Sequence, residues 1–357
     1  MIRRSWASLY ESGNDTFKAG MIEFAKMKLL SEGDDKKHNA QVTALSIRII
    51  LDFGVSRAAR KYETMLIESH LRVAYVVPQQ RFLRGGAPSE PLLAEAAAQL
   101  LNAKEGIQVL APDVLRSLLP REVLANWGRV GTLGRMIWTI AHDIAIQNSS
   151  HDGSDPSKLV YHQPILLVEW LKSMVNSRWH RNILDAKPIA DPDGLTLEEA
   201  FEDVYLHFTH FVRVHDHSII SPDQLWYGLV RGLSYEYAQD KWSTSVALPA
   251  LHGGLDAFIS AENTAIVYGQ YKNRGDRTKF LLDPHIGGAP RNDLPTLSLV
   301  HDFGFVTANV YSYSTLGLKK AIVAGAKDIH RRHYQLHFEG ITNQTYHGMG
   351  LMNIIRP

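Results

Sequence analysis

The sequence predicts an α/β protein of the α+β kind, in which a mainly helical first part precedes a mixed sheet. Apolar residues recur at three- and four-residue spacing in many segments before residue 240, which is typical of amphipathic helices. From about residue 243 the chain changes to short, partly β-branched apolar runs separated by Gly, Asn and Ser, which indicates strands and turns. We therefore expect a helical supporting or partner domain over 1–199, an α/β domain over 200–345 and a short tail over 346–357.

Helical segments account for most of the first part. The first 80 residues are predicted to be helical with a break at 31–39, and the apolar strand RVAYVVPQ follows. A further helix is predicted over 88–102, because Ser89 can cap it, Pro91 suits its first turn, and its Ala and Leu residues favour propagation. Helical spacing continues in DVLRSLLPREVLANW, TLGRMIWTIAHDIAIQ and ILLVEWLKSMV, and a loop is predicted over 149–158.

The last part is predicted to alternate between helix and strand. Two amphipathic segments, LTLEEAFEDVYLHFTHFVRV and SPDQLWYGLVRGLSYEYAQ, are expected to be helical, which places Glu236 in a helix that ends near Gln239. Strands are predicted for TSVALPALH, LDAFIS, TAIVYGQYK, FVTANVYSYST and HYQLHFEGI, with a helix in LGLKKAIVAGAKD.

Composition excludes several classes of protein. The 357 residues are 45% hydrophobic and 21% charged, which is enough for one large core or two moderate ones. The absence of cysteine excludes disulfide frameworks, thiolate zinc sites and cysteine nucleophiles, and it fits a reducing compartment. There is no secretory signal, no apolar run near the roughly 18 residues of a membrane span, and no P-loop motif. We expect a soluble intracellular protein without a membrane partner.

A group of polar residues around the segment GGLDAFISAENTAIVYGQYKN forms the candidate site. Gln270 and Lys272 alternate with Tyr271 in a predicted strand, so they point to one face. A turn at AEN would bring Asp256 beside them, and Glu236 would overhang the same strand ends. Asp256, Glu236 and the amide oxygen of Gln270 are ligands of the kind that Mg²⁺ prefers, and Lys272 could stabilise charge on a phosphate.

The same string resembles the catalytic hairpin of the PD-(D/E)xK nuclease superfamily, in its Mrr-like form with Gly-Gly-Ile/Leu-Asp followed by Gln-x-Lys. The resemblance implies a restriction-endonuclease-like mixed sheet with an α-β-β-β-α-β core over 200–345. It also implies a DNA endonuclease that depends on Mg²⁺ or Mn²⁺, with catalytic roles for Asp256, Gln270 and Lys272. Glu236 falls where many members carry an additional acidic ligand.

Four further segments are PSEPLLAEAAAQLLN, GRVGTLGRMIWTIAHD, FTHFVRV and VYGQYKNR. Together they resemble, over roughly residues 85 to 340, fungal proteins related to Crinkler and retrotransposon-hot-spot proteins. In these proteins a helical middle region precedes a nuclease-like domain, often with an NTPase module further upstream. The resemblance implies that the partner is DNA or a protein and that the location is nuclear or cytoplasmic. Leu255 stands where the name-giving proline would be, and Gln270 replaces the second acid. The alternative hypothesis is therefore a catalytically inactive nuclease-like module that binds nucleic acid or protein, of the effector or mobile-element-derived kind.

Basic residues of KNRGDRTK, beside the candidate site, and of the separate basic group KDIHRRH are the predicted contacts to the DNA backbone. Net charge is +1, so phosphate binding would depend on local clusters of Lys and Arg. The predicted contacts are Arg274, Arg277, Lys279, Arg331 and Arg332.

Overall fold

The computed structural model describes thirteen stretches of the chain. The described residues are 12–30, 36–76, 83–86, 90–103, 106–120, 122–125, 128–150, 155–189, 191–214, 220–239, 243–273, 294–312 and 332–347. The α-helices are α1 (Asp15–Leu29), α2 (Lys36–Ile49), α3 (Arg57–Glu68), α4 (Pro91–Leu101), α5 (Ile107–Leu118), α6 (Arg129–Ser149), α7 (Leu167–Met174), α8 (His180–Leu184), α9 (Leu197–Ala200) and α10 (Pro222–Arg231). The strands are β1 (Val73–Val76), β2 (Leu83–Gly86), β3 (Ile165–Leu166), β4 (Tyr205–Leu206), β5 (His210–Arg213), β6 (Leu233–Gln239), β7 (Ser243–Leu251), β8 (Thr264–Lys272), β9 (Thr296–Asp302), β10 (Asn309–Ser312) and β11 (His333–Glu339).

The helices of the first part begin where side chains can cap them. The Asn14 side chain accepts a hydrogen bond from the Phe17 N–H at 2.9 Å to start α1, and Ser56 accepts one from Ala59 at 3.1 Å to start α3. Pro91 opens α4 as predicted, with Glu90 at the capping position; Ser89 lies outside the described residues. Helices in the N-terminal region and a mixed sheet after them confirm the predicted α/β class.

The sheet has nine strands among the described residues and mixes both pairing directions. Strands β6, β7 and β8 form an antiparallel meander, β9 lies parallel to β8, and β11 lies parallel to β9. Strand β10 forms one edge of the sheet, antiparallel to β11. Strand β4 pairs antiparallel with the last two residues of β7, and β3 pairs antiparallel with β4. The strands β8, β9 and β11 therefore run in the same direction, and their carboxyl ends meet at one edge.

Four local predictions are wrong. The segment DVLRSLLPREVLANW is helical only up to Leu118, the last residue of α5, and residues 122–125 are not helical. The segment predicted as one long helix from Leu195 is helical only in α9 and then forms β4 and β5. LDAFIS is not a strand, because β7 pairs with β8 up to Leu251 and Thr264 and leaves 252–263 as the connecting loop. Glu236 lies in β6 and not in a helix, because α10 ends at Gly232, whose φ of +62° terminates the helix in a conformation that glycine adopts without strain. The predicted helix over 316–328 lies outside the described residues.

Helices cover both faces of the central strands. Trp138 of α6 packs edge-on against Tyr271 at 5.6 Å between ring centroids, and its indole N–H donates to His301 Nε2 at 3.1 Å. On the opposite face, Tyr235 and Tyr268 belong to a smaller apolar cluster that includes residues of α10. In the part of the chain that the structure describes, no helix is both long and apolar enough to cross a bilayer.

Candidate functional site

Three neighbouring parallel strands each end on a charged residue. Lys272 is the last residue of β8, Asp302 the last of β9 and Glu339 the last of β11, and the register pairs Lys272 with Asp302 and Asp302 with Glu339. Residues paired in register share a face of the sheet, so these three side chains lie in one row. Tyr271 and His301 contact Trp138 on the other face, which is consistent with this orientation.

A second row of polar residues lies directly behind the first. Gln270 pairs with Val300, Val300 with His337, and His337 with Tyr311. We call Gln270, Lys272, Asp302, His337 and Glu339 together the carboxyl-edge cluster. Lys272 is 5% exposed and Glu339 is 2% exposed, so these charges are largely withdrawn from water.

Hydrogen bonds hold the acidic members of the cluster in place. The Tyr311 hydroxyl donates to Glu339 Oε1 at 3.2 Å, and Asn309 Nδ2 donates to Glu339 Oε2 at 3.4 Å. The Asp302 carboxylate accepts from the Gly304 N–H at 3.1 Å. Such bonds fix the direction in which each carboxylate presents its remaining lone pairs.

His337 is a neutral member of the cluster. Burial, together with the positive charge of nearby Lys272, lowers the pKa of His337 to about 3. Gln335 Nε2 lies 2.6 Å from His337 Nε2 and donates to it, so the proton of the neutral ring is on Nδ1. The ring of His337 is therefore neutral near pH 7 and adds no positive charge beside Lys272.

Gln270 contributes a buried acceptor without a partner. Its Oε1 atom has no hydrogen bond, although it is removed from solvent. A buried polar atom left in this state costs about 1–3 kcal/mol relative to one that is paired. An unpaired amide oxygen on the same face as Asp302 suits a hard cation such as Mg²⁺, which takes one or two carboxylates and completes its shell with water and substrate oxygens. Among the described residues there is no group of three or more His, Asp or Glu side chains placed to hold a metal.

Asp256 does not join the predicted partners. It is exposed in the loop 252–263, which connects the far ends of β7 and β8, whereas Lys272 pairs with Ser243 at the opposite end of the hairpin. The eight residue steps from Thr264 to Lys272 span roughly 27 Å at the rise of an extended strand. The predicted turn at AEN does not bring Asp256 to Gln270 and Lys272, because the strand that pairs with β8 ends before Asp256.

Glu236 is engaged in a buried ion network. Its Oε2 atom accepts from Arg135 Nη1, and its Oε1 atom accepts from Arg213 Nε at 2.9 Å. Arg213 also donates to both carboxylate oxygens of Asp52, at 2.7 and 3.0 Å. Burial acts to lower the pKa of Arg213, but Asp52 and Glu236 raise it above its ordinary value. Both carboxylate oxygens of Glu236 therefore accept hydrogen bonds from arginines, and its position does not support the predicted role as a metal ligand.

Only one of the predicted DNA contacts falls within the described residues. Arg332 is exposed at the start of β11, which is the edge of the sheet opposite to Lys272. The remaining candidates, Arg274, Arg277, Lys279 and Arg331, lie outside the described residues.

Sequence reasoning missed the acidic members of the cluster. Asp302 is the last residue of the strand TLSLVHD and Glu339 the last residue of the strand HYQLHFE, and a charged residue at that point was the available indication. In comparisons with known proteins, no family model, no curated protein and no solved structure matches the chain.

Proposed function

We propose that the chain is a metal-dependent phosphodiesterase of the endonuclease type that acts on DNA inside the cell, with the carboxyl-edge cluster as its working centre. The observation that supports this is the placement of Lys272, Asp302 and Glu339 at the carboxyl ends of three neighbouring parallel strands. In open α/β sheets this is the edge at which ligands bind. The Gln-x-Lys element of the sequence is part of the cluster.

The chemistry assigns a distinct role to each side of the cluster. Lys272 supplies a positive charge that can stabilise the negative charge developing on a phosphate oxygen. Asp302 and the unpaired Gln270 Oε1 atom are the groups that would hold Mg²⁺ or Mn²⁺. Such an ion, when bound, polarises the phosphoryl oxygen and lowers the pKa of a bound water. Neutral His337 adds no second positive charge that would compete with the cation.

A second candidate function is a catalytically inactive nuclease-like module that binds nucleic acid or a protein partner. Two observations favour this candidate. Asp256 lies beyond the start of β8, at the end opposite to Lys272. The Glu236 carboxylate accepts hydrogen bonds from Arg135 and Arg213. A nuclease that relied on those two carboxylates would have no assembled metal site here.

Plasmid nicking in Mg²⁺ or Mn²⁺ separates the two candidates. We expect Lys272→Met and Asp302→Asn to lower the rate by about 100-fold or more, since each removes a charge that acts on the transition state. Asp256→Asn is the matched control, because it neutralises an exposed carboxylate of the same hairpin outside the cluster, and it should keep the wild-type rate.

Two further measurements complete this test. Circular dichroism and the melting temperature check that the buried Lys272 variant remains folded. Fluorescence anisotropy with labelled DNA measures binding independently of cleavage. Loss of nicking in Asp256→Asn, or no nicking by the wild type in either metal, would refute the proposed centre; DNA binding without nicking would support the inactive module.

A further inference from the structure

The loop 252–263 presents apolar side chains to solvent at the end of β8 opposite to the carboxyl-edge cluster. The exposed fraction is 56% for Leu255, 83% for Phe258 and 36% for Ile259. Exposed apolar residues that are scattered singly are ordinary on a protein surface, whereas three within five residues of one loop indicate a contact surface. We call Leu255, Phe258 and Ile259 together the apolar loop patch.

Hydrogen bonds hold this loop in one shape. It turns at Gly253 and Gly254, whose φ angles of +89° and +82° glycine adopts without strain. The His252 N–H donates to the Asn263 carbonyl at 2.9 Å across the base of the loop, and Asn263 Nδ2 donates to the Phe258 carbonyl at 3.0 Å. A surface that is already formed loses little conformational entropy when a partner binds to it.

A cavity of about 500 Å³ adjoins the loop. Its wall includes His252, Gly253 and Asn263 from the two ends of the loop, and the Gly254 N–H donates to the carbonyl of Asp203, another wall residue, at 3.1 Å. The apolar residues of the wall are Pro188, Leu195, Ala200, Leu294 and Pro295. The cavity and the apolar loop patch therefore form one continuous surface.

This surface has an excess of negative charge. Among the described residues, the cavity wall and the loop carry five carboxylates and one guanidinium, which belong to Asp191, Glu199, Asp203, Asp256, Glu262 and Arg332. Glu199 and Asp203 are exposed, so a partner can reach both of them. The negative charge opposes an anionic membrane, a nucleic-acid backbone and a second copy that presents the same surface, because like charges repel.

A basic and apolar partner matches both properties of the surface. Lys and Arg side chains have an apolar stem and a charged head, which suits a cavity with apolar walls and carboxylates. An amphipathic helix presents an apolar stripe with basic residues beside it on one side, so it can contact the patch and the cavity together.

We propose that the apolar loop patch and the adjoining cavity bind a basic amphipathic helix of another protein. Its apolar residues pack on Phe258 and Leu255, and one of its Lys or Arg side chains enters the cavity and pairs with Asp203. The surface is separate from the carboxyl-edge cluster, and the proposal does not depend on the function proposed for that cluster.

Fluorescence anisotropy of the full chain with a labelled model peptide tests this assignment. The peptide has about 15 residues, with Leu at helical spacing and Lys at the flanking positions. A control peptide keeps the Leu positions and carries Glu in place of Lys, and it should bind at least tenfold more weakly. The dissociation constant of the Lys peptide should rise with salt, because salt screens exposed charges.

Two surface variants with matched controls locate the binding. Phe258→Ser should weaken binding of the Lys peptide about tenfold or more, because binding energy is concentrated in central aromatic side chains. Asp203→Asn should weaken it about threefold by removing one exposed charge pair. Val306→Ser, at an exposed apolar residue beyond the carboxyl end of β9, and Glu68→Gln, at an exposed carboxylate of α3, should leave the dissociation constant unchanged.

The other possible occupants are outcomes of the same test. Sedimentation velocity reports a second copy, and flotation with vesicles of phosphatidylcholine and phosphatidylserine reports a membrane. A dimer or a vesicle association that Phe258→Ser abolishes would overturn the proposal. It would also be overturned if the wild type did not bind the Lys peptide, or if Phe258→Ser bound it as tightly as Val306→Ser.

Discussion

Replacing Glu236 by glutamine tests whether this carboxylate is a structural counter-charge. The side chains of Glu236 and Arg135 are 1% and 0% exposed. Arg135 also donates hydrogen bonds to the carbonyl oxygens of Ile49 and Ile50, at 2.5 and 2.9 Å. Arg135 cannot lose its proton at ordinary pH and has no route to water. The substitution therefore leaves an uncompensated positive charge in the interior.

The expected cost follows from the charges of the network. Asp52 and Glu236 balance Arg135 and Arg213, so the glutamine variant retains one net buried positive charge. Removing one partner of a buried ion pair costs about 3–5 kcal/mol. Since whole domains are stable by about 5–15 kcal/mol, this is a large fraction of the total. With an m-value of about 3 kcal/mol per molar urea, the unfolding midpoint should fall by roughly 1–1.7 M.

Urea unfolding followed by tryptophan fluorescence and circular dichroism measures this change. The double variant Arg135→Met/Glu236→Leu removes one charge of each sign and leaves Arg213 with Asp52, so it should recover part of the loss. Recovery should be incomplete, because the carbonyl oxygens of Ile49 and Ile50 lose the hydrogen bonds from Arg135. Glu169→Gln is the surface control, because the exposed pair that Glu169 forms should contribute less than about 1 kcal/mol. A Glu236→Gln protein within 0.5 kcal/mol of wild type, at roughly the precision of such data, would refute the structural role.

Two other predictions concern packing and acid sensitivity. Gly134→Ala should destabilise the fold by about 1–3 kcal/mol, because the new Cβ would lie 2.2 Å from the buried Tyr271 ring. Gly20→Ala, on the exposed part of α1, should stabilise the fold by about 0.5–1 kcal/mol, because a Cβ there meets nothing within 4 Å. Thermal melts that rank the two variants the other way would contradict this. The free energy of unfolding should be constant above pH 7.5 and fall toward pH 5.5, by about 1 kcal/mol per buried histidine between pH 6.5 and 5.5. The reason is that these histidines bind a proton near pH 6.5 in the unfolded state but only at about pH 3–4 in the native state. The histidines whose pKa burial lowers to about 3 or 4 are His162, His207, His210, His252, His301 and His337. Urea unfolding at several pH values checks this, and a constant free energy of unfolding from pH 7.5 to 5.5 would contradict it.

Regular local patterns were the part of the fold that could be read from the sequence. The apolar run TAIVYGQYK was predicted as a strand and coincides with β8 from Thr264 to Lys272. Alternation along it assigned Gln270 and Lys272 to one face, in agreement with the contact of Tyr271 with Trp138 on the other. Such patterns are local, since they depend only on the two-residue period of an extended chain.

The predicted site depended on pairing, which local patterns do not encode. The position of Asp256 was inferred from a two-strand hairpin closed at AEN, but the strand that pairs with β8 is TSVALPALH, and its register is set across the whole sheet. This register includes Pro249, which has no N–H to donate and lies between the part of β7 paired with β6 and the part paired with β4. Sequence alone gave no means of choosing between the two pairings.

Glu236 was assigned to a helix because the preceding residues are helical. The two indications of a boundary were Gly232, which ends α10 with a positive φ, and the alternating run LSYEYAQ that follows it. Asp302 and Glu339 could not be joined to Lys272 from the sequence, because parallel strands connected by long segments leave no local sign of which ones are neighbours.

The length of β8 has a consequence for any two molecules that bind at its two ends. A molecule bound at the loop 252–263 and a phosphate beside Lys272 would be roughly 27 Å apart, which is the length of β8. Their free energies of association should therefore add, and saturating one end should leave the dissociation constant at the other unaltered. A measured departure from additivity would mean that the parallel strands between them shift as a unit.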